Sequence, residues 1–472
     1  MLRDSQSVEL LYALLRPDNV QDDAPEKHKS GATMLCLKYQ DDNLAIENIL
    51  ALPNGQSLGN RIVKAAMTEG LADPAGRPSP ELVTLYERWS RGGAGLLLTG
   101  NVLVDGRHLE RPGNVVIDGP PDPMKTEQLA RWAQAAKSGG ASVWVQLSHA
   151  GRQTPITINP TPHAPSSVQI ELGRSGLFGT PMAMTHAQIA EVRRHFFEAA
   201  LVVKEAGFDG IQIHAAHGYL LSSFLSPLTN KRDDEWGGSL ENRARLLLEI
   251  VHAIRVAVGP SFGVGVKLNS ADFQRGGFDI DDSVKVAQWL DEAKIDILEI
   301  SGGNYESPRM IDLALKGPAE DRRANVREAY FLEFAPRIKA SLGRAKLMVT
   351  GGFRTRAAMD RALIDEGVDL IGIARPFCGW PDAPHKILSE VSKDLPAFED
   401  RLRLGPGVLG PRSRFPLIRA INAAGAQAWY FEQIVRLGAG LDAEQRFSVY
   451  RALRMSKRRA KQALDRLQRS AE

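Results

Sequence analysis

The stretch Gly207-Phe208-Asp209-Gly210-Ile211-Gln212-Ile213-His214-Ala215-Ala216-His217-Gly218-Tyr219-Leu220-Leu221 decides how the chain is read. Its apolar run, Gly210 to His214, follows a segment of helical period from His186 to Ala206 and breaks off into polar residues. A run that short, apolar on both faces and set beside a helix, is the pattern of a parallel strand buried under helices. Seven more runs repeat it: Ile62 to Met67, Gly95 to Thr99, Ser142 to Gln146, Gly263 to Leu268, Ile297 to Ile300, Lys346 to Thr350 and Leu370 to Ile373. Amphipathic segments at Pro80 to Arg91, Lys125 to Ser138, Leu240 to Val258, Ile280 to Ala293, Glu328 to Leu342 and Thr355 to Glu366 are expected to be helices between them. Eight βα units without a long interruption predict an α/β chain closed into a (β/α)8 TIM barrel, with a doubly wound open sheet as the competing reading.

The 472 residues exceed the roughly 250 that such a barrel needs. The pattern divides them into an N-terminal extension (1–44), the barrel (45–384) and a mainly helical C-terminal extension (385–472). The stretch Asp18 to Gly31 has little capacity to bury surface. Beyond Asp382 a Gly/Pro-rich linker, Leu404 to Pro411, leads into helices expected at Pro416 to Leu437 and Asp442 to Leu467. The basic residues from Arg451 to Arg469 read as the solvated face of an amphipathic helix, since Asp465 and apolar residues are mixed among them.

Composition excludes several classes of function. With 59 basic against 56 acidic residues the formal charge is +3, so no global field draws the chain to nucleic acid or an anionic membrane. No stretch approaches the ~18 uninterrupted apolar residues of a membrane span, and Glu9 and Arg16 bound the early apolar segment too closely for a signal peptide. Cys36 and Cys378 are too few for a disulfide framework, a four-cysteine zinc site or an iron–sulfur cluster. A soluble, cytoplasmic protein is expected.

In a barrel the strands' C-terminal ends converge on one face, where catalytic residues sit. His214, His217 and Tyr219 stand at such an end. Two imidazoles at this spacing aim donors at one oxygen, polarising a carbonyl and stabilising the enolate that forms when hydride reaches the β-carbon; Tyr219 then delivers a proton to the α-carbon. Either histidine alone also reads as a satisfied core residue. A metal site needs a third ligand that the local sequence lacks, so no metal is expected.

From Gly207 through Ser222-Ser223-Phe224-Leu225-Ser226-Pro227-Leu228-Thr229-Asn230 to Arg232-Asp233-Asp234-Glu235-Trp236-Gly237-Gly238-Ser239-Leu240-Glu241-Asn242-Arg243, the chain resembles the old yellow enzyme family. The likeness runs from about Leu52 to Asp382. It implies a barrel that binds FMN non-covalently, takes hydride from NADPH or NADH, and reduces activated alkenes such as enones. It further implies that the backbone of Ala65, Ala66, Met67 and Thr68 meets the flavin, and that the Thr68 hydroxyl donates to the flavin C4 carbonyl. Leu98-Thr99-Gly100-Asn101-Val102 departs from the family's Thr-Glu-Gly pattern, which leaves a contact near Asn101. Gln146 matches the glutamine that pairs with the pyrimidine edge, and Lys267 stands where many relatives carry arginine beside flavin N1 and the C2 oxygen. Gly351, Gly352, Ala374 and Arg375 close the last two strands, where barrels hold phosphate. Gly70 replaces a tyrosine of some relatives, so a wider pocket is expected there.

The implied partner is a small enone-type molecule, with no nucleic acid and no membrane; association of the chain with itself through the C-terminal helices is left open. The alternative is a flavin-free lyase or isomerase of phosphate ligands using Lys267 as a Schiff base or general base. A third reading is a binding protein that carries flavin without turnover.

Overall fold

The computed structural model describes residues 45–170, 176–302 and 331–471. Eight parallel strands run in chain order: β1 (Ile62–Lys64), β2 (Leu96–Leu103), β3 (Ser142–Ser148), β4 (Gly210–Ala215), β5 (Gly263–Asn269), β6 (Ile297–Ser301), β7 (Lys346–Thr350) and β8 (Leu370–Ile373). Each pairs with the next, and β8 returns to β1 through Ile371 opposite Ile62, so the sheet closes into the expected (β/α)8 barrel. The open sheet is thereby set aside.

The largest side chain in the cluster that fills the lower half of the barrel, with Val63, Leu96, Leu98, Ile297, Met348 and Leu370, is an indole. Trp144 of β3 is fully buried, and it lies against Gly210, Gly263 and Gly265. A Cβ at Gly263 would come within 2.2 Å of the indole and one at Gly210 within 2.7 Å. A hairpin of Leu50–Ala51 with Ser57–Leu58 covers this end, where Gln56 bonds the Asp209 carbonyl (2.6 Å) and accepts from the Trp144 indole N–H (3.3 Å).

The outer helices start where the sequence supplies caps. Ser79 caps α1 (Pro80–Ser90), Asp122 caps α2 (Pro123–Lys137), and Thr185 with Gln188 forms a capping box on α3 (His186–Glu205). Ser239 caps α4 (Leu240–Val258), which ends on Gly259 at φ 76°, and Asp279 caps α5 (Ile280–Glu292). Of the helix expected from Glu328, its start lies outside the described residues, and α6 is short (Ala335–Lys339) because Leu332–Phe334 is a 3-10 turn. Thr355 caps α7 (Arg356–Ile364).

Two strands differ from expectation at the site. β1 stops at Lys64, after which Ala65 makes one last sheet bond to Ile373 (2.8 Å) and the chain turns over the barrel mouth. β2 runs on to Leu103 through an irregularity between Leu98 and Asn101. Glu69 holds it: its carboxylate accepts from Gly100 N–H (2.9 Å) and the Tyr86 hydroxyl, and a Cβ at Gly100 would lie 2.2 Å from that carboxylate. The cation beneath is Lys64, which donates to Leu98 O (2.7 Å) and faces the Trp89 ring at 4.4 Å.

The C-terminal extension forms α8 (Pro416–Gly438) and α9 (Val449–Ala471). Gly438 brings α8 so near α1 that a Cβ there would lie 2.9 Å from Glu81 O. The last helix begins at Val449 instead of Asp442, because Gln433 binds both backbone groups of Glu444 (2.7 and 3.3 Å) and Ser448 accepts from Arg451 N–H. Among the described residues, no helix is long and apolar enough to cross a membrane.

Candidate active site

His214 is the penultimate residue of β4, its Nδ1 accepting from the Ala216 N–H (3.2 Å). A neutral ring accepting there carries its hydrogen on Nε2, so the backbone sets the tautomer. His217 adopts the left-handed conformation (φ 63°), donates its N–H to Asn269 Oδ1 on β5 (3.1 Å), and places Nε2 2.7 Å from Ser301 Oγ on β6. The rings of His214 and His217 meet edge-on at 5.0 Å, and those of His214 and Tyr219 at 4.9 Å. Burial drives both imidazoles well below the ordinary histidine range, reinforced by the charge of Lys267 and, for His214, of His217. Both are therefore neutral near pH 7, and His214 offers its Nε2–H as a donor suited to an oxygen that gains negative charge. The structure thus brings His214, His217 and Tyr219 into one cluster.

Below this cluster runs a polar chain that sequence reading saw only at its ends. Gln146 donates to Gln212 (2.6 Å), Gln212 donates to Glu299 (2.7 Å), and Glu299 pairs with Lys267 at 2.9 Å. Register explains it: Gln146 lies opposite Gln212 and Lys267 opposite Glu299 in the parallel pairs. Glu299 is fully buried, so Lys267 has a structural reason for its position in addition to any flavin. The signal for the missed residues was a polar side chain at every second position, Gln212/His214, Lys267/Asn269 and Glu299/Ser301.

Ala65 is buried, while Ala66, Met67 and Thr68 are half-exposed at the mouth. The Thr68 hydroxyl donates to Glu110 (2.7 Å), and so does the Asn101 amide (2.7 Å); Glu110 was not singled out from sequence. Across the mouth Gly351 (φ 140°) and Gly352 (φ 82°) occupy conformations that suit glycine, beside half-exposed Ala374 and Arg375. Glu399 of the C-terminal extension reaches Arg354 (2.6 Å) and Arg375 (3.4 Å), and accepts from the Tyr430 hydroxyl (2.6 Å). The wider pocket expected at Gly70 is corrected: Arg111 Nε and Phe431 Cε2 both lie 3.2 Å from where a Cβ would stand, filling that space. Cys378 lies against Met67, its thiol pushed up to about 12 by burial, and is inert packing.

These residues fit FMN. Two buried polar atoms at the mouth, Asn101 Oδ1 and Thr350 Oγ1, have no hydrogen-bond partner among the described residues. With them stand an amide (Gln146), a cation (Lys267), a glycine pair and an arginine, the donor types that a flavin ring and a phosphate require.

A second cluster looks at first like a metal cage, since Asp105, His108 and His163 bring ligand atoms together. The tautomers oppose it. His108 Nε2 accepts from the His163 N–H (3.0 Å) and His149 Nδ1 from the Gly151 N–H (3.0 Å), so the nitrogens facing Asp105 carry hydrogens. Burial raises the Asp105 carboxyl, but bonds from the histidines and Arg107 outweigh it and hold it well below the usual range. The group is a hydrogen-bonded buttress under the loop after β2.

The fold and mouth define a barrel oxidoreductase that works through a bound flavin. The model of the NADH:flavin oxidoreductase / NADH oxidase family matches residues 51–394, and the chain belongs to that family. It is 41% identical over 345 residues to an NADH-dependent flavin oxidoreductase of Aspergillus parasiticus, covering 71% of this chain and 76% of that protein. Among solved structures it is similar to an old yellow enzyme homologue from Zymomonas mobilis (TM-score 0.62, 24% identity, 77% of this chain and 98% of that one). Another is 2-naphthoyl-CoA reductase (TM-score 0.66, 25% identity, 73% of this chain), of which the chain spans about half, 52%. The protein is thus an FMN-dependent, nicotinamide-driven flavin oxidoreductase of the old yellow enzyme type, and the flavin-free lyase or isomerase is set aside.

Proposed function

We propose that the protein passes hydride from NADPH or NADH, through FMN, to the activated C=C bond of an α,β-unsaturated carbonyl compound. The observation that carries this is the pair of neutral imidazoles, with the His214 hydrogen set on Nε2 by a backbone bond. In this reading His214 and His217 hold the substrate carbonyl and stabilise the enolate oxygen, while Tyr219 gives its proton to the α-carbon. Bound FMN supplies a two-electron store loaded by the nicotinamide. The backbone of Ala65 to Thr68, Asn101, Gln146 and Lys267 hold the ring, and Gly351, Gly352, Ala374 and Arg375 the phosphate. Residues 45–384 form the FMN-binding barrel, with 1–44 and 385–472 as extensions.

The test follows the visible flavin spectrum of FMN-loaded protein without oxygen. NADPH or NADH is expected to bleach it and a cyclic enone to restore it. Bleaching that no enone reverses overturns the alkene reading and leaves the flavin oxidoreductase standing.

A further inference from the structure

Glu110 lies in the loop that follows β2 and belongs to none of the roles above. One of its oxygens, Oε2, accepts from the Thr68 hydroxyl on the β1 side and from the Asn101 amide on β2, each at 2.7 Å. The second amide hydrogen of Asn101 points to the Tyr219 hydroxyl at 3.5 Å. The loop is pinned in place: Arg111 N–H donates to Asn114 Oδ1 (2.9 Å), Asn114 Nδ2 donates to Asn101 O (3.3 Å), and the Arg111 guanidinium lies 4.1 Å over the Phe431 ring.

Donor and acceptor chemistry makes this geometry directional. A carboxylate only accepts, so Asn101 must turn its nitrogen toward Glu110, whichever way an amide is drawn. That choice places an N–H before the Tyr219 oxygen and leaves the phenol's own hydrogen turned elsewhere. It also accounts for Asn101 Oδ1 remaining buried without a partner among the described residues. Thr68 has one hydroxyl hydrogen, which the carboxylate takes, so the turn after β1 presents lone pairs and a nearby negative charge.

We propose that Glu110 is a positioning residue that holds Thr68 and Asn101, and through Asn101 the hydroxyl of Tyr219, so that one carboxylate sets both the electron-donating strength of the bound flavin and the aim of the proton donor. The flavin arm rests on the family alone; the Tyr219 arm rests on the proposed alkene reduction. A negative charge beside the flavin disfavours its reduced, more negative form, so Glu110 makes the cofactor a stronger reductant.

The experiment uses FMN-loaded full-length protein. Glu110→Gln keeps the size and one acceptor but removes the charge. Its flavin midpoint, measured without substrate against a reference dye, is expected to rise by a tenfold change in the reduction equilibrium, about 30 mV for a two-electron couple. Reoxidation by cyclohexenone is expected to slow about tenfold, and to slow by clearly less in a Tyr219→Phe background, where only the raised midpoint still acts. An unmoved midpoint in a variant that binds FMN normally overturns the proposal, whatever turnover does. A raised midpoint in protein whose wild type ignores enones supports the flavin arm and sinks the alkene reading instead. Should Glu110→Gln fail to hold FMN, Glu110→Asp keeps the charge: a wild-type midpoint with slowed reoxidation supports the proposal, and wild-type behaviour in both overturns it.

Discussion

The strand ends of the barrel and the helices beyond residue 384 meet at one mouth, but each reaches it differently. The barrel presents its groups through register, with neighbours one strand away: Gln146 to Gln212, Gln212 to Glu299, Glu299 to Lys267. The extension reaches in with long side chains from packed helices and loops: Glu399 to Arg354 and Arg375, Phe431 over Arg111, and Leu467 against the cluster of Leu103, Leu109 and Tyr219. The family model ends at residue 394, before α8 and α9. The matched region thus meets at the mouth through strand neighbours, and the region beyond it joins through ion pairs and packing.

Breaking the barrel side should have the largest effects. Lys267→Met leaves Glu299 buried and unpaired, and is expected to lower stability in chemical denaturation by about 3–5 kcal/mol; adding Glu299→Gln should recover much of it, and no recovery would mean the pair is not what Lys267 supplies. His214→Ala is expected to slow enone-driven flavin reoxidation by about 10²–10³-fold, while reduction by the nicotinamide changes little. Equal losses in both half-reactions would remove the histidine from the carbonyl.

Acid probes the same region more gently. His149 is pushed down to about 3 by burial and by the charge of His108, and His214 and His217 lie well below the ordinary value. The unfolded chain takes up these protons below pH ~6.5 and the folded one does not, so stability is full above that pH and falls as pH drops toward the folded values. Each imidazole contributes up to about 1.4 kcal/mol per pH unit, read from denaturation midpoints between pH 6.5 and 5. His163 is lowered as well, to about 4, by burial and the charge of His108, so His149→Gln should remove about a quarter of that slope. On the extension side Phe431→Leu is expected to shift relative kcat/KM by about tenfold, some 1.4 kcal/mol, toward enones with a bulky substituent. Unchanged selectivity would make the extension scaffolding alone.

Much of this was legible because it follows from local pattern. The eight strands fall where short apolar runs predicted them, and the helices start at Ser79, Asp122, Thr185, Ser239, Asp279 and Thr355 because those side chains cap them. The meeting of His214, His217 and Tyr219 follows from one turn. Glu299 was hidden because its partner is fixed by strand register, and Glu110 because Thr68 lies 42 residues away across an irregular strand that Glu69 maintains. Phe431 over Gly70 could not be read at all, since nothing local ties α8 to the β1 loop.

Trp144 carries a lesson about inheritance. Because its indole takes the room that Gly210, Gly263 and Gly265 leave free, those four positions form one heritable unit spread over three strands. A side chain at Gly210 or Gly263 requires a smaller residue in place of the tryptophan, whereas at Gly265, 3.1 Å from the indole, a small shift can make room. Libraries that vary the mouth can therefore treat this floor as frozen, whereas random mutagenesis of the whole barrel will lose clones there first.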